Sequence, residues 1–76
     1  MQNLDTDRID EAVLAVLMLG ASGNKAWKGI DAAALDRLHE KGLVGDPYGK
    51  TPTIELSDAG LARGKQLVVE LFGLAE

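Results

Sequence analysis

The chain holds a single histidine, and its neighbours decide what chemistry is open to it. His39 follows Asp36 by three residues, so on a helix the imidazole and the carboxylate share a face, the spacing of a proton-transferring base and its orienting acid. Zinc would need three or four ligands, and the chain offers no cysteine and no second histidine. Ser22 and Ser57 stand in no context that would activate a nucleophile. Asn24-Lys25-Ala26 lacks the glycines of a phosphate loop, and no glycine spacing matches a nucleotide fingerprint. A solvated helix surface is the reading for Asp36, His39 and Glu40. No catalytic residue, metal ligand, cofactor or small-molecule substrate is expected.

The remaining chemistry is recognition. Lys25 and Lys28 flank Trp27, Arg37 and Lys41 share the His39 helix, and Tyr48 and Lys50 occupy a turn. An ammonium or guanidinium beside an aromatic ring suits a phosphate or a carboxylate of a partner, so these seven residues are the candidate contacts. Trp27 is also the largest apolar side chain present, and packing in the core or at its rim is the simpler expectation for it. Asp36 and Glu40 stand near Arg37 and would repel the phosphates it attracts.

The elements that carry these residues run from 31 to 60. Asp31 caps a helix of strong formers, with Ala34, Leu35 and Leu38 as a narrow apolar stripe. Lys41 and Gly42 close it, Gly42 in the left-handed conformation and Leu43 folded back onto Leu38. Leu43 and Val44 begin a strand, Asp46-Pro47-Tyr48-Gly49 has the preferences of a type I turn, and Thr51 to Leu56 alternates as a half-buried strand. Pro52 suggests a sheet edge there. Ser57 caps the next helix. The order helix, hairpin, helix is that of the recognition end of a winged-helix domain.

On the N-terminal side, residues 1 to 5 are expected to fray, and Asp5, Thr6 and Asp7 start a helix. Ile9, Val13, Val16 and Gly20 mark one face of it, and Ala12 to Leu19 make it apolar all round, a helix that must be covered on several sides. Gly20 to Asn24 is a loop, and Ala26 to Ile30 reads as a third strand beside the hairpin. The last helix spans about Asp58 to Gly73. Its apolar residues exceed what one small core needs, which makes Leu67, Val69, Leu71 and Leu74 a candidate dimer face. Gly60 and Gly64, four apart, would let another backbone approach closely.

Composition fits one small domain of 76 residues, 46% hydrophobic with one Trp, one Tyr and one Phe, so the core must be aliphatic. The net charge of -4 argues against indiscriminate binding to nucleic acid or acidic membranes. Residues 1 to 5 lack the basic flank of a secretory signal, and eight apolar residues from Ala12 are too few to span a bilayer, so a cytoplasmic protein is expected.

Across nearly its full length the chain resembles a family of short bacterial proteins classed as a domain of unknown function. The likeness is carried by Thr6-Asp7-Arg8-Ile9-Asp10-Glu11-Ala12, Ala26-Trp27-Lys28-Gly29, Leu35-Asp36-Arg37-Leu38-His39-Glu40-Lys41-Gly42-Leu43, Asp46-Pro47 and Leu56-Ser57-Asp58-Ala59-Gly60. It implies no activity. Leu35 to Gly60 is also similar to the helix and wing of bacterial regulators of the multiple-antibiotic-resistance type. The chain departs from those by lacking a positioning helix, an arginine-rich wing and long dimerisation helices.

The expectation is an α+β, reduced winged-helix-like domain: three helices with a small antiparallel hairpin or three-stranded sheet. Its expected function is non-catalytic macromolecular binding, with a protein partner or a second copy ahead of DNA. A phage or mobile-element inhibitor is a subcase, and a DNA-binding winged-helix transcriptional regulator is the alternative.

Overall fold

The computed structural model describes residues 5–73. Helix α1 (Thr6–Leu19) starts where the Asp5 carboxylate accepts hydrogen bonds from the amides of Asp7 and Arg8, at 3.1 and 3.2 Å. Helix α2 (Ala32–Glu40) starts the same way on Asp31. It ends as its sequence requires: Gly42 has φ +75°, its N–H donates to His39 O, and Leu43 N–H reaches back to Leu38 O at 3.0 Å. Helix α3 (Asp58–Phe72) is capped by Ser57, whose hydroxyl accepts from the Gly60 amide and donates to Gly42 O.

Strands β1 (Lys25–Trp27) and β2 (Thr53–Glu55) pair antiparallel, with Lys25 opposite Glu55, Ala26 opposite Ile54 and Trp27 opposite Thr53. The sheet is therefore built on the segment read as an accessory third strand, starting one residue earlier than expected. The expected hairpin survives only as an isolated bridge between Val44 and Leu56. Its first arm stops because Pro47 has no N–H to give and the Asp46 carboxylate takes the Tyr48 amide at 2.8 Å, which turns the chain out of the ladder. Pro52 lies just before β2, which is an edge of the two-stranded sheet; on its far side the chain is met only at the isolated bridge between Val44 and Leu56.

Helix α1 lies at the centre, against α2, α3 and β1. Leu14 and Leu17 of α1, Leu35 and Leu38 of α2, Ile54, Leu56 and Leu67 form one buried cluster. Gly64 packs on Met18 while Leu71 lies beside Arg8, so α3 runs antiparallel along α1. One expectation fails. Val16 and Leu19 of α1 are exposed, because two helices and a two-stranded sheet cannot enclose a third helix on every side.

Candidate functional site

Among the described residues Asp10 is the one charged side chain in the interior, 1% exposed. It faces α2, where Arg37 Nε lies 2.9 Å from both carboxylate oxygens, Arg37 Nη2 2.8 Å from Oδ1, and Lys41 Nζ 3.3 Å from Oδ2. Lys41 also meets Asp7 at 3.3 Å. Burial pushes the Asp10 carboxyl up, but the hydrogen bonds and charges of Arg37 and Lys41 outweigh it and hold it below its ordinary value. The Arg37 guanidinium is raised mainly by its hydrogen bond to Asp10. For Lys41, burial works downward, and the bonds to Asp10 and Asp7 overcome it.

Two candidate recognition cations are thus turned inward onto α1. A signal for this was present in the sequence: acids three apart at Asp7 and Asp10, and bases four apart at Arg37 and Lys41, are complementary stripes on two helices.

The other candidates divide between the turn and the sheet. Lys28 Nζ donates to the carbonyls of Pro47, at 3.1 Å, and Gly49, which staples the 46–50 turn to the end of β1. The Tyr48 hydroxyl donates to Asp36 Oδ2 at 2.6 Å, which raises the phenol and ties the same turn to α2. Asp36 therefore answers to Tyr48, while His39 Nδ1 lies 3.1 Å from Val44 O; the base-and-acid pair is not formed. Lys50 is exposed at the turn. Lys25 is exposed beside its cross-strand neighbour Glu55.

Trp27 is neither in the core nor at a packed rim. It is 68% exposed, and its ring lies against Gly29 so closely that a Cβ there would fall 2.2 Å from the six-membered ring. Val16, Leu17, Gly20, Ala26 and Ile30 complete an open apolar groove of about 230 Å³ beside it. The groove was missed in the sequence because its two walls are the last turn of α1 and the outer edge of β1, elements brought together only by the fold.

The expected dimer face on α3 needs correction. Leu67 is 2% exposed and belongs to the core, so it cannot meet a partner. Val69 and Leu71 are exposed, as is Phe72, and Leu74 lies outside the described residues. Gly60 and Gly64 do permit close approach, but within the chain: Gly60 against the Leu43 backbone and Gly64 against Met18. Beside Leu71, a polar groove of about 370 Å³ is lined by Arg8, Glu11, Arg63 and Glu70, with Arg63 bonded to Glu11 at 2.9 Å and to Glu70 at 3.4 Å.

Among the described residues no group of three His, Asp or Glu side chains could hold a metal ion, and no helix is long and apolar enough to cross a membrane.

The fold and its sites define a small α+β domain whose surface offers grooves and ion pairs. The chain belongs to the family described as a domain of unknown function, DUF6429, whose model matches residues 5–74. It is 49% identical over 70 residues to the uncharacterized protein y4hR of the bacterium Sinorhizobium fredii, a match covering 91% of this chain and 95% of that protein. No solved structure matches.

Proposed function

We propose that this domain is a non-catalytic, cytoplasmic protein-binding module with a regulatory role, and that its partner docks on the Trp27 face. The observation that carries this is the contrast between two surfaces. On α2, Arg37 and Lys41 are occupied by Asp10 and Asp7, so the helix that would enter a DNA groove presents little free positive charge. At the other site, an exposed Trp27 with Val16, Leu19 and Ile30 leaves apolar surface in water. An exposed aromatic anchor beside an apolar groove is the usual centre of a protein interface.

The element order still supports a reduced winged-helix reading, with α2 in the recognition position and the 46–52 segment as a shortened wing. The test separates the two uses. Labelled duplex DNA is titrated with the protein at several salt concentrations and followed by anisotropy; no binding up to high micromolar protein is the expected result. Binding that weakens steeply with salt and is lost in the Lys50→Glu variant, an exposed position on the turn, would replace this reading with DNA recognition. In parallel, the wild-type domain should capture a protein partner that the Trp27→Ala variant does not.

A further inference from the structure

We infer that the groove between the last turn of α1 and the outer edge of β1 receives an extended segment of the partner protein, one that carries a large apolar side chain flanked by arginine or lysine. This rests on the protein-binding reading above and specifies its ligand. Three features of the groove converge on it: backbone groups, volume and charge.

The register of β1 on β2 sets which main-chain groups face outward. Leu56 N–H donates to Asn24 O and Lys28 N–H donates to Pro52 O, so residues 24, 26 and 28 of this stretch point their main-chain groups at β2. Lys25 and Trp27 point theirs the other way. The outward groups of Lys25 are already used, since its N–H and C=O pair with Ser22 at 3.2 and 2.8 Å. Among the described residues the N–H and C=O of Trp27, and the N–H of Gly29 beyond it, have no hydrogen-bond partner. They form a short open sheet edge at the wall of the groove, where an added strand would find donors and an acceptor in ladder order.

The Ser22 turn also selects the occupant. If β1 of a second copy paired antiparallel across Trp27, its chain would run opposite Lys25, through the position that Ser22 fills. A separate segment meets no such obstacle, because it pairs at Trp27 and Gly29 and then leaves the sheet. At about 230 Å³ the groove is below the ~300–1,000 Å³ typical of small-molecule pockets and takes a single large side chain.

Charge complementarity sets the flanking residues. Helix α1 has no basic residue in its last turn, and the carbonyls of Leu17 and Leu19 accept no hydrogen bond among the described residues, so the negative end of the helix stands bare at the groove. The exposed face of Trp27 favours a cation by its quadrupole. The nearby ammonium of Lys28 is committed to the Pro47 and Gly49 carbonyls, and Lys25 stands beside Glu55. The chain as a whole carries -4.

Trp27 is the only tryptophan, so its emission reports on the groove directly. Three synthetic ten-residue peptides, alternating leucine with arginine, with serine or with glutamate, are titrated into the full-length protein at low salt. The arginine–leucine peptide is expected to shift the emission and to bind about tenfold more tightly than the glutamate–leucine peptide. N-methylation of alternate amides in the arginine–leucine peptide should abolish the response, as strand addition demands. Val16→Arg, an exposed position checked for folding by circular dichroism, should remove the preference for the cationic peptide.

Equal affinity for the three peptides, or tighter binding of the glutamate–leucine one, would overturn the charge assignment. Undiminished binding of the N-methylated peptide would overturn strand addition. An emission change that follows protein concentration alone, with a doubled mass by light scattering, would hand the groove to a second copy. No peptide response from a domain that still captures a Trp27-dependent partner would overturn this inference and leave the protein-binding reading standing.

Discussion

Arg37 Nε lies equidistant, at 2.9 Å, from the two carboxylate oxygens of Asp10, and this contact is what joins α2 to α1 at their polar seam. The arrangement is asymmetric. Asp10 is almost wholly buried, whereas the Arg37 side chain keeps 31% of its surface in water. Removing Arg37 therefore strands a buried carboxylate with Lys41 as its remaining charged partner, while removing Asp10 leaves a guanidinium that can turn to solvent. Arg37→Met is expected to cost about 2–4 kcal/mol and Asp10→Ala somewhat less. The double variant Asp10→Leu, Arg37→Met should recover most of the loss, since an apolar pair of similar volume replaces an ion pair at little net cost. Urea denaturation at constant m measures all three; a double variant as unstable as the sum of the singles would contradict this account.

Stability should fall at both ends of the pH scale for a reason located in the same cluster. The Asp10 carboxyl lies below its ordinary value of 3.8 when folded, so the unfolded chain takes up this proton first. Its contribution is therefore present above about pH 3.8 and is lost as pH falls through the lower folded value. Lys41 is raised above its ordinary 10.5, so its contribution is present below that pH and disappears as pH rises past it. Denaturation midpoints between pH 2 and 12 should show both declines. In the Asp10→Asn variant the acid decline should shrink, and the alkaline one with it, because Lys41 loses its buried partner.

The helices were legible because their ends are written in short-range chemistry. Asp5, Asp31 and Ser57 cap them, and Gly42 with Leu43 closes α2, all through contacts within about five residues in sequence. The sheet was half legible. Alternation at Thr53 to Leu56 marks β2, but how far each neighbour pairs with it was not written there: Pro47 and the Asp46 side chain shorten the Val44 arm on one side, while the segment around Ala26 pairs along the other. The seven candidate contact residues were gathered by type, and the fold sorts them differently. Arg37, Lys41 and Lys28 are spent on internal partners over sequence separations of 19 to 34 residues, and Tyr48 meets Asp36 across 12. The stripes of Asp7 with Asp10 and of Arg37 with Lys41 hinted at one of these pairings without saying that α1 and α2 face each other; the partners of Lys28 and Tyr48 left no local signature. The Trp27 groove had none either, since nothing in residues 26–30 states which face α1 will leave open.

Tyr48 provides a local check on the turn. It is the only tyrosine, and its hydroxyl hydrogen-bonds an Asp36 carboxylate that would repel the phenolate, so its titration should be displaced above the ordinary 10.0. Ultraviolet difference absorbance of the phenolate reads this midpoint directly. Asp36→Asn should bring it back toward 10.0, because an amide oxygen accepts the same bond without the charge. A midpoint unchanged by the substitution would mean that the 46–50 turn is not held against α2 in solution. Since the ring is largely exposed, little change in global stability is expected with it.

The two glycines of α3 should respond in opposite ways to the same substitution. A methyl at Gly60 would sit 1.9 Å from the Leu43 carbonyl oxygen and 2.9 Å from its carbon, both backbone atoms held by the closing turn of α2. Neither can yield without moving α2 away from the start of α3 and breaking the Ser57 amide bond to Leu43 O. Gly60→Ala is therefore expected to cost about 3 kcal/mol or more. At Gly64 the nearest atoms are Cβ, Cγ and Sδ of Met18, at 3.2–3.3 Å; rotation of the methionine moves Cγ and Sδ away, and the Cβ contact asks the two helices to part by only a few tenths of an ångström. That small strain acts against a helix-propensity gain of about 1 kcal/mol for alanine over glycine. Gly64→Ala should leave stability within about 1 kcal/mol of wild type or raise it. Thermal and urea unfolding of the two variants measure the contrast; similar losses at both positions would mean that α3 is not seated on Leu43 as described, and with it the register that brings Leu67 into the core.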